Sequence, residues 1–204
     1  MPRQPTLNGN CVLLVIDIMT SAFLPDDSGI PHMPGFSDAM YRARAVVDGA
    51  RKAGIPIVFF EENHRRSMVD YGRELDGSEG IHCLDGEPGT AVAETEMGMQ
   101  PEDYYIKKRR YSCFFGTDLE ILLKGLKAET LILVGAMTDV CVHYTFVDGH
   151  QHDYYCRVIT DCVGGTSPVA HDASLAAMEY LQTGACQTSA EILAAMANKA
   201  RQAT

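Results

Sequence analysis

Length, composition and charge exclude several classes of protein for this chain. Its 204 residues suffice for one α/β domain that needs no disulfides, and no apolar stretch approaches the roughly 18 residues that a membrane span requires. The 27 acidic and 17 basic side chains give a formal net charge of −10, which disfavours nucleic acid and anionic membranes as partners.

The first half of the chain contains two strand patterns, one helix pattern and a long irregular segment. The apolar run 11–18 is typical of a strand buried on both faces of a parallel sheet. Helical spacing follows over 36–54, with Ser37 as the expected N-cap, and 55–60 is the second predicted strand. Over about 61–100 the periodicity is lost, which predicts an ordered insertion that contributes to specificity.

The second half alternates strand and helix patterns to its end. Capping boxes are predicted at Thr117 with Glu120 and at Thr188 with Glu191. The alternation predicts a three-layer α-β-α architecture with a mostly parallel, doubly wound six-stranded sheet, formed by one domain over residues 1–204. The remaining predicted elements are strand 103–108, helix 117–128, strand 130–136, helix 140–150, strand 156–161, helix 171–184, strand 186–188 and helix 189–202.

The cysteines and the N-terminal segment indicate a cellular compartment. Seven cysteines, without a C-x-x-C pair, favour reduced thiols over a disulfide framework or a zinc site. The N-terminal residues lack the apolar region of a signal peptide. We therefore expect a cytoplasmic protein.

Three reactive side chains are predicted at the carboxyl ends of strands, where open α/β sheets bind ligands. Asp17 closes the first strand, Lys108 closes the third, and Cys141 follows the fourth after a short turn. Each has a structural alternative: a helix-capping carboxylate, a solvated strand end and an apolar filler. Together they supply a proton acceptor, a cation and a nucleophile, the groups that thiol-mediated acyl transfer needs.

Three segments, "LLVIDI", "KKRRYSCFFGTDLE" and "LILVGAMTDVCVHYT", resemble the isochorismatase-like cysteine hydrolases. That family includes nicotinamidases, N-carbamoylsarcosine amidases and biuret hydrolases. The resemblance implies that Asp17, Lys108 and Cys141 are catalytic, with Lys108 and the helix dipole lowering the pKa of the Cys141 thiol. It also implies oxyanion donors at the backbone N–H groups of Met137 and Cys141, and a cis peptide between Ala136 and Met137.

The chain departs from the family pattern at two places. Met19 stands where members commonly carry a polar residue. Nicotinamidases bind a metal through an Asp-x-His pair and a later histidine, whereas "EENHRR" offers His64 without that aspartate. We therefore expect no catalytic metal and no cofactor, and the histidines of "HQH" at 150–152 are interpreted as residues of a helix C-terminus.

The expected reaction is hydrolysis of a C–N bond in a small linear amide, such as a ureido, carbamoyl or carboxamide compound, through a thioester, with release of ammonia or an amine. Alternatives are a nicotinamidase-like or isochorismatase-like hydrolase, a non-catalytic oligomeric scaffold, or a thiol sensor with Cys156 as the nearest resolving cysteine in sequence. Self-association as a dimer or tetramer is expected from the resemblance. Candidate substrate contacts are Phe23, His64, Arg65, His82 and Tyr111, with Arg73 as a further polar candidate of the insertion.

Overall fold

The computed structural model of the chain describes residues 5–24 and 30–202. Within these residues six strands form one sheet in the order β3-β2-β1-β4-β5-β6, and every neighbouring pair is parallel. The predicted doubly wound sheet is therefore confirmed, and its strand order reverses between β1 and β4. The strands are β1 (Asn10–Ile16), β2 (Ile57–Glu62), β3 (Tyr104–Lys108), β4 (Ala128–Ala136), β5 (Tyr155–Gly164) and β6 (Cys186–Gln187).

Helices cover both faces of the sheet. On β1, Leu13 and Val15 face a core shared with α1 and α6, whereas Leu14 and Ile16 face a core shared with α3, α4 and α5. This alternation of side chains explains why the strand is apolar at every position. The helices are α1 (Phe36–Lys52), α2 (Glu94–Met97), α3 (Leu119–Gly125), α4 (Cys141–Gln151), α5 (Pro168–Leu181) and α6 (Ser189–Gln202).

Two of the predicted helix starts are wrong. Gly35 occupies the N-cap position of α1, and the Ser37 hydroxyl instead donates a hydrogen bond to the Ala22 carbonyl at 2.7 Å. The box predicted at Thr117 does not form, because its hydroxyl donates to the Cys113 carbonyl at 2.5 Å and α3 begins only at Leu119. In both cases the hydroxyl that was expected to cap the helix donates instead to a backbone carbonyl outside that helix.

The last two helices, α5 and α6, both begin directly after a residue whose side chain caps the helix. Ser167 caps α5 by accepting a hydrogen bond from the Ala170 N–H at 3.2 Å, so this helix begins three residues before the prediction of 171. The box before α6 is confirmed. Thr188 Oγ1 accepts from the Glu191 N–H at 3.3 Å, and Glu191 Oε2 accepts from the Thr188 N–H at 2.8 Å.

The second strand runs two residues further than predicted, through Glu61 and Glu62, and both carboxylate residues are buried. In the parallel register, Glu62 is aligned with Lys108 of β3. Beyond Glu62, single bridges attach the chain to the fold at Met19 with Val92 and join His64 to Leu84. No helix in the described part of the chain is both long and apolar enough to cross a membrane.

Candidate active site

Asp17 is held at the carboxyl end of β1. Its backbone turns into the left-handed region, with φ of 50°, directly after the last strand residue. One carboxylate oxygen accepts a hydrogen bond from the Glu62 N–H at 2.9 Å, and the other lies 2.8 Å from the Lys108 ammonium. The carboxylate is therefore fixed from two neighbouring strands.

Lys108 lies at the centre of the site and is buried. Its Nζ is 2.5 Å from Glu62 Oε2, 3.0 Å from the Arg110 carbonyl and 3.5 Å from Cys141 Sγ. Burial opposes the charge, but Asp17, Cys141 and Glu62 outweigh it and raise the pKa of Lys108 well above its usual value. The lysine is thus an ammonium ion held beside the thiol.

The turn between β4 and α4 brings Cys141 to this cation. Gly135 has φ of 119°, and a Cβ there would overlap the Ile16 carbonyl oxygen of β1, so only glycine fits. The peptide bond between Ala136 and Met137 is cis, as the resemblance implies. Cys141 is then the first residue of α4, and its thiol donates a hydrogen bond to Glu62 Oε2 at 3.5 Å.

The pKa of Cys141 departs from the sequence-based prediction. Burial raises it well above the usual value of a thiol, and although Lys108 lowers it, the Glu62 and Asp17 carboxylates raise it further. The prediction of a depressed pKa is therefore wrong, because it left out the burial of the thiol and, after that, the Glu62 carboxylate. A raised pKa favours the protonated thiol over the thiolate.

The Asp17 carboxyl is suited to accept that proton. Burial raises its pKa to about 6, with Lys108 lowering the pKa and Glu62 raising it. Its carboxylate lies close to the sulfur, because one side-chain oxygen of Asp17, one of Glu62 and the Cys141 Sγ all lie within 4.8 Å of one another. A carboxyl group with a pKa near neutrality serves both as a base and as an acid under physiological conditions.

Glu62 is a site residue that the sequence reasoning missed. Burial works against its ionisation, but the Lys108 charge and hydrogen bonds from His64 and His82 hold its pKa well below the usual range. The available signal was the pair of glutamates after an apolar strand. Two carboxylates at the carboxyl end of a buried parallel strand require partners, and Lys107 and Lys108 on the next strand supply them.

A second group of potential ligands lies directly behind Glu62. His64 Nε2 is 3.3 Å from Glu62 Oε1 and 3.0 Å from Glu74 Oε2, and His82 Nε2 is 3.2 Å from Glu62 Oε1. All four residues are buried, and their ligand atoms lie within 4.8 Å of one another. The aspartate of the Asp-x-His pair is absent from the sequence, as noted above, but Glu62 occupies its position and its carboxylate contacts the His64 ring.

The chemistry of this group fits a divalent cation. Imidazole and carboxylate are ligands that zinc and related metals accept. Among the described atoms neither carboxylate oxygen of Glu74 has a hydrogen bond, although Oε2 makes an ion-pair contact with His64. Burial lowers the pKa of His64, but Glu62 and Glu74 overcome this and raise it to about 9, so a proton on the imidazole competes with a metal ion.

A cavity of about 320 Å³ opens onto the thiol. Met137 and Cys141, the residues whose N–H groups are the predicted oxyanion donors, both line it. The segment after β1 contributes mainly apolar side chains and two serines, and the insertion contributes mainly polar ones. The other lining residues are Asp17, Met19, Ser21, Ala22, Leu24, Ile30, His32, Phe36, Ser37, Glu62, Glu79, His82, Cys83, Tyr111, Ala136 and Val140.

The predicted substrate contacts divide into two groups. His82 and Tyr111 line the cavity, whereas His64 is buried behind it with Glu62 and Glu74. Phe23 does not line the cavity, and its ring packs on Tyr41 with centroids 4.5 Å apart.

The two arginines of the insertion that were candidate substrate contacts do not line the cavity. Arg65 is largely exposed and pairs with Asp70 at 2.9 Å, and Arg73 pairs with Asp76 at 2.8 Å. For both, the insertion uses the guanidinium to stabilise its own loops. Glu79 and Cys83 line the cavity instead, and no pattern in the sequence singled them out.

A parallel α/β sheet with a thiol, an ammonium and a carboxylate at its carboxyl edge is the arrangement of the isochorismatase-like hydrolases. The Isochorismatase domain matches residues 11–191, and the chain belongs to this family. A protein of Arabidopsis thaliana described as a probable inactive nicotinamidase is 29% identical over 177 residues, which cover 84% of this chain and 89% of that protein.

Two further comparisons extend this result. A ureidoacrylate amidohydrolase of Methylobacterium radiotolerans is 28% identical over 187 residues, covering 82% of this chain and 72% of that enzyme. The crystal structure of a cysteine hydrolase from Pseudomonas syringae superposes with a TM-score of 0.81 at 21% identity, covering 98% of this chain and 96% of that one. This last likeness concerns the fold.

Proposed function

We propose that the protein is a cysteine-dependent amidohydrolase that cleaves the C–N bond of a small linear amide through a thioester. The observation that carries this proposal is the position of the Lys108 ammonium, 2.8 Å from the Asp17 carboxylate and 3.5 Å from Cys141 Sγ. The thiol and a proton carrier thus line a cavity large enough for a small amide, and the cation contacts both from behind the wall.

The first half-reaction transfers the acyl group to sulfur. Asp17 takes the proton of the Cys141 thiol as the sulfur attacks the amide carbonyl, and Lys108 balances the negative charge that develops on sulfur. The N–H groups of Met137 and Cys141 stabilise the oxyanion. When the tetrahedral intermediate collapses, Asp17 returns the proton to the nitrogen, which leaves as ammonia or an amine.

The second half-reaction regenerates the thiol. A water molecule attacks the thioester while Asp17 accepts one of its protons, and collapse of the intermediate releases the carboxylic acid and the Cys141 thiolate. Asp17 then protonates that sulfur. A divalent cation held by Glu62, His64, Glu74 and His82 would supply Lewis-acid polarisation of an oxygen at the adjacent wall.

A nicotinamidase-like amidase that depends on such a cation is the second candidate. The group of Glu62, His64, Glu74 and His82 favours it, because four buried ligand atoms of this kind lie within 4.8 Å of one another. One relative is described as a probable inactive nicotinamidase, whereas in this chain the contacts of Lys108 with Asp17 and with Cys141 support an active site. If Cys141 were instead the reactive thiol of a sensor, its resolving cysteine would be Cys83, which lines the same cavity, rather than the fully buried Cys156.

The test is an ammonia-release screen over biuret, ureido acids, maleamate, nicotinamide and simple carboxamides, with and without added zinc. Cys141→Ser should fold and lose turnover by orders of magnitude, because a serine hydroxyl ionises far less readily than a thiol. Cys186→Ser is the matched control, since that half-buried thiol lies on β6 and donates to the Leu175 carbonyl. If Cys141→Ser retains most activity, the sulfur is not the nucleophile.

A further inference from the structure

We infer that the substrate carries an N–H donor, an ammonium or uncharged amide nitrogen, at the end remote from its scissile amide, and that Glu79 selects this group against a carboxylate. The inference rests on the proposed amidohydrolase function and concerns the choice of substrate. It follows from the lack of arginine and lysine among the described residues that line the cavity, and from Glu79, which forms no ion pair with a described residue.

The wall of the cavity offers a bound carboxylate no arginine or lysine among the residues that the structure describes. Arginine and lysine are the usual partners of a bound carboxylate, because they combine charge with several N–H donors. The segment after β1 contributes mainly apolar side chains to the wall, Met19, Ala22, Leu24, Ile30 and Phe36, together with the hydroxyls of Ser21 and Ser37.

Two basic side chains beside the cavity already contact protein acceptors. His82 has one ring nitrogen 2.7 Å from the Gly80 carbonyl and the other 3.2 Å from Glu62 Oε1, so without a metal ion both nitrogens face the protein. Lys108 lies behind the wall in contact with Asp17 and Glu62. His32 also lines the cavity, and its exposed ring packs against Phe36.

Glu79 is the carboxylate of the wall that forms no ion pair with a described residue. The Tyr111 hydroxyl donates to its Oε2 at 2.8 Å, and no other described residue donates a hydrogen bond to it. The other two carboxylates of the wall, Asp17 and Glu62, both contact Lys108. Glu79 is half-buried, and the removal from water raises its pKa despite the hydrogen bond from Tyr111 and the nearby charge of His82.

The residues on either side of the Glu79 carboxylate in the wall are held by other contacts. The Tyr71 hydroxyl donates to the His82 carbonyl and accepts from the His82 N–H. Tyr111, which donates to Glu79, is in edge contact with the Tyr144 ring, with centroids 5.5 Å apart. A half-buried carboxylate acceptor in this position favours an N–H donor and repels a carboxylate.

Three amides with a similar chain test the inference: succinamide, 4-aminobutanamide and succinamate, whose remote ends are a neutral amide, an ammonium and a carboxylate. Binding is measured by calorimetry on Cys141→Ser, so that hydrolysis does not consume the ligand. We expect succinamide and 4-aminobutanamide to bind at least about tenfold more tightly than succinamate. In the same background Glu79→Gln should reduce this ratio to near unity, and Glu79→Lys should reverse it.

Glu102→Gln is the matched control, because Glu102 is exposed, outside the cavity, and should leave the ratio unchanged. Tightest binding of succinamate, a ratio that Glu79→Gln does not alter, or binding of none of the three compounds would overturn the inference. Turnover by the wild-type protein is recorded separately. Preferential binding without ammonia release from any amide would refute the proposed function and leave the role of Glu79 standing.

Discussion

Replacement of Glu62 by glutamine should make the Cys141 thiol more acidic. The substitution keeps the shape of the side chain and removes a negative charge whose Oε2 lies 3.5 Å from Cys141 Sγ. The carboxylate of Glu62 raises the pKa of Cys141, and Lys108 opposes it. Without the Glu62 carboxylate, the Lys108 ammonium still lowers the pKa of Cys141, and one of the two negative charges that raise it is gone. The thiolate is therefore favoured.

The size of the effect follows from Coulomb's law. Two unit charges at the distance of 3.5 Å interact by about 5 kcal/mol at an effective dielectric constant of about 20, which corresponds to roughly three pKa units. Water entry and movement of Lys108 and the two histidines toward other partners reduce this value. We therefore expect a fall in the apparent pKa of at least about one unit.

The assay is the rate of alkylation by iodoacetamide against pH, with the modified peptide identified by mass spectrometry so that Cys83 is not counted. Glu102→Gln serves as the control for a lost surface charge. Amide turnover by Glu62→Gln should remain within about tenfold of wild type, because Asp17 is still present to carry the proton. An alkylation curve that is unmoved, or moved to higher pH, would show that Glu62 does not act on the sulfur by its charge.

Three other outcomes follow from the same site, and a fourth, on self-association, follows from the family resemblance. Lys108→Met should shift the alkylation curve of Cys141 to higher pH, since the nearest cation is lost; a shift to lower pH would contradict this. Asp17→Asn should shift it to lower pH and still abolish turnover, because no group remains to protonate the leaving nitrogen; retained turnover would exclude Asp17 as the proton carrier. Protein freed of metal should take up Co²⁺ with a tetrahedral absorption spectrum that Glu74→Gln removes, whereas failure to bind the ion would mean that protons occupy the group. Sedimentation at micromolar concentration should give a dimer or tetramer, and a purely monomeric species would refute self-association.

The fold was predictable because its signals are local. Uninterrupted apolar runs identify strands buried on both faces, and helical spacing identifies the segments between them. Alternation along β3 also predicts that Lys107 and Lys108 point in opposite directions. In the structure Lys107 contacts Glu61 at 3.2 Å and Lys108 contacts Glu62 at 2.5 Å.

The errors in helix starts and strand ends arose where a side chain bonds to a residue that is distant in the chain. The Ser37 hydroxyl turns to Ala22 rather than to its own helix, and β2 continues through two glutamates because lysines on β3 compensate them. Charge normally ends a buried strand in a sequence pattern, so Glu62 was assigned to the insertion. Its effect on the pKa of Cys141 could not be recognised until β2 and β3 were aligned.

The strand ends carry the proposed catalytic residues, whereas the insertion carries a proposed substrate contact. The substrate is therefore harder to derive from the sequence than the reaction. Asp17, Lys108 and Cys141 are placed by β1, β3 and the start of α4, whose geometry the core dictates. Glu79 belongs to a connection that contributes little to the core, so its sequence can change without loss of the fold. A relative that shares the strand ends therefore informs the expected reaction, whereas the charge of the substrate must be derived from the insertion of this chain. An anionic compound such as ureidoacrylate would meet an unpaired carboxylate at Glu79, which is why that relative's substrate is not carried over.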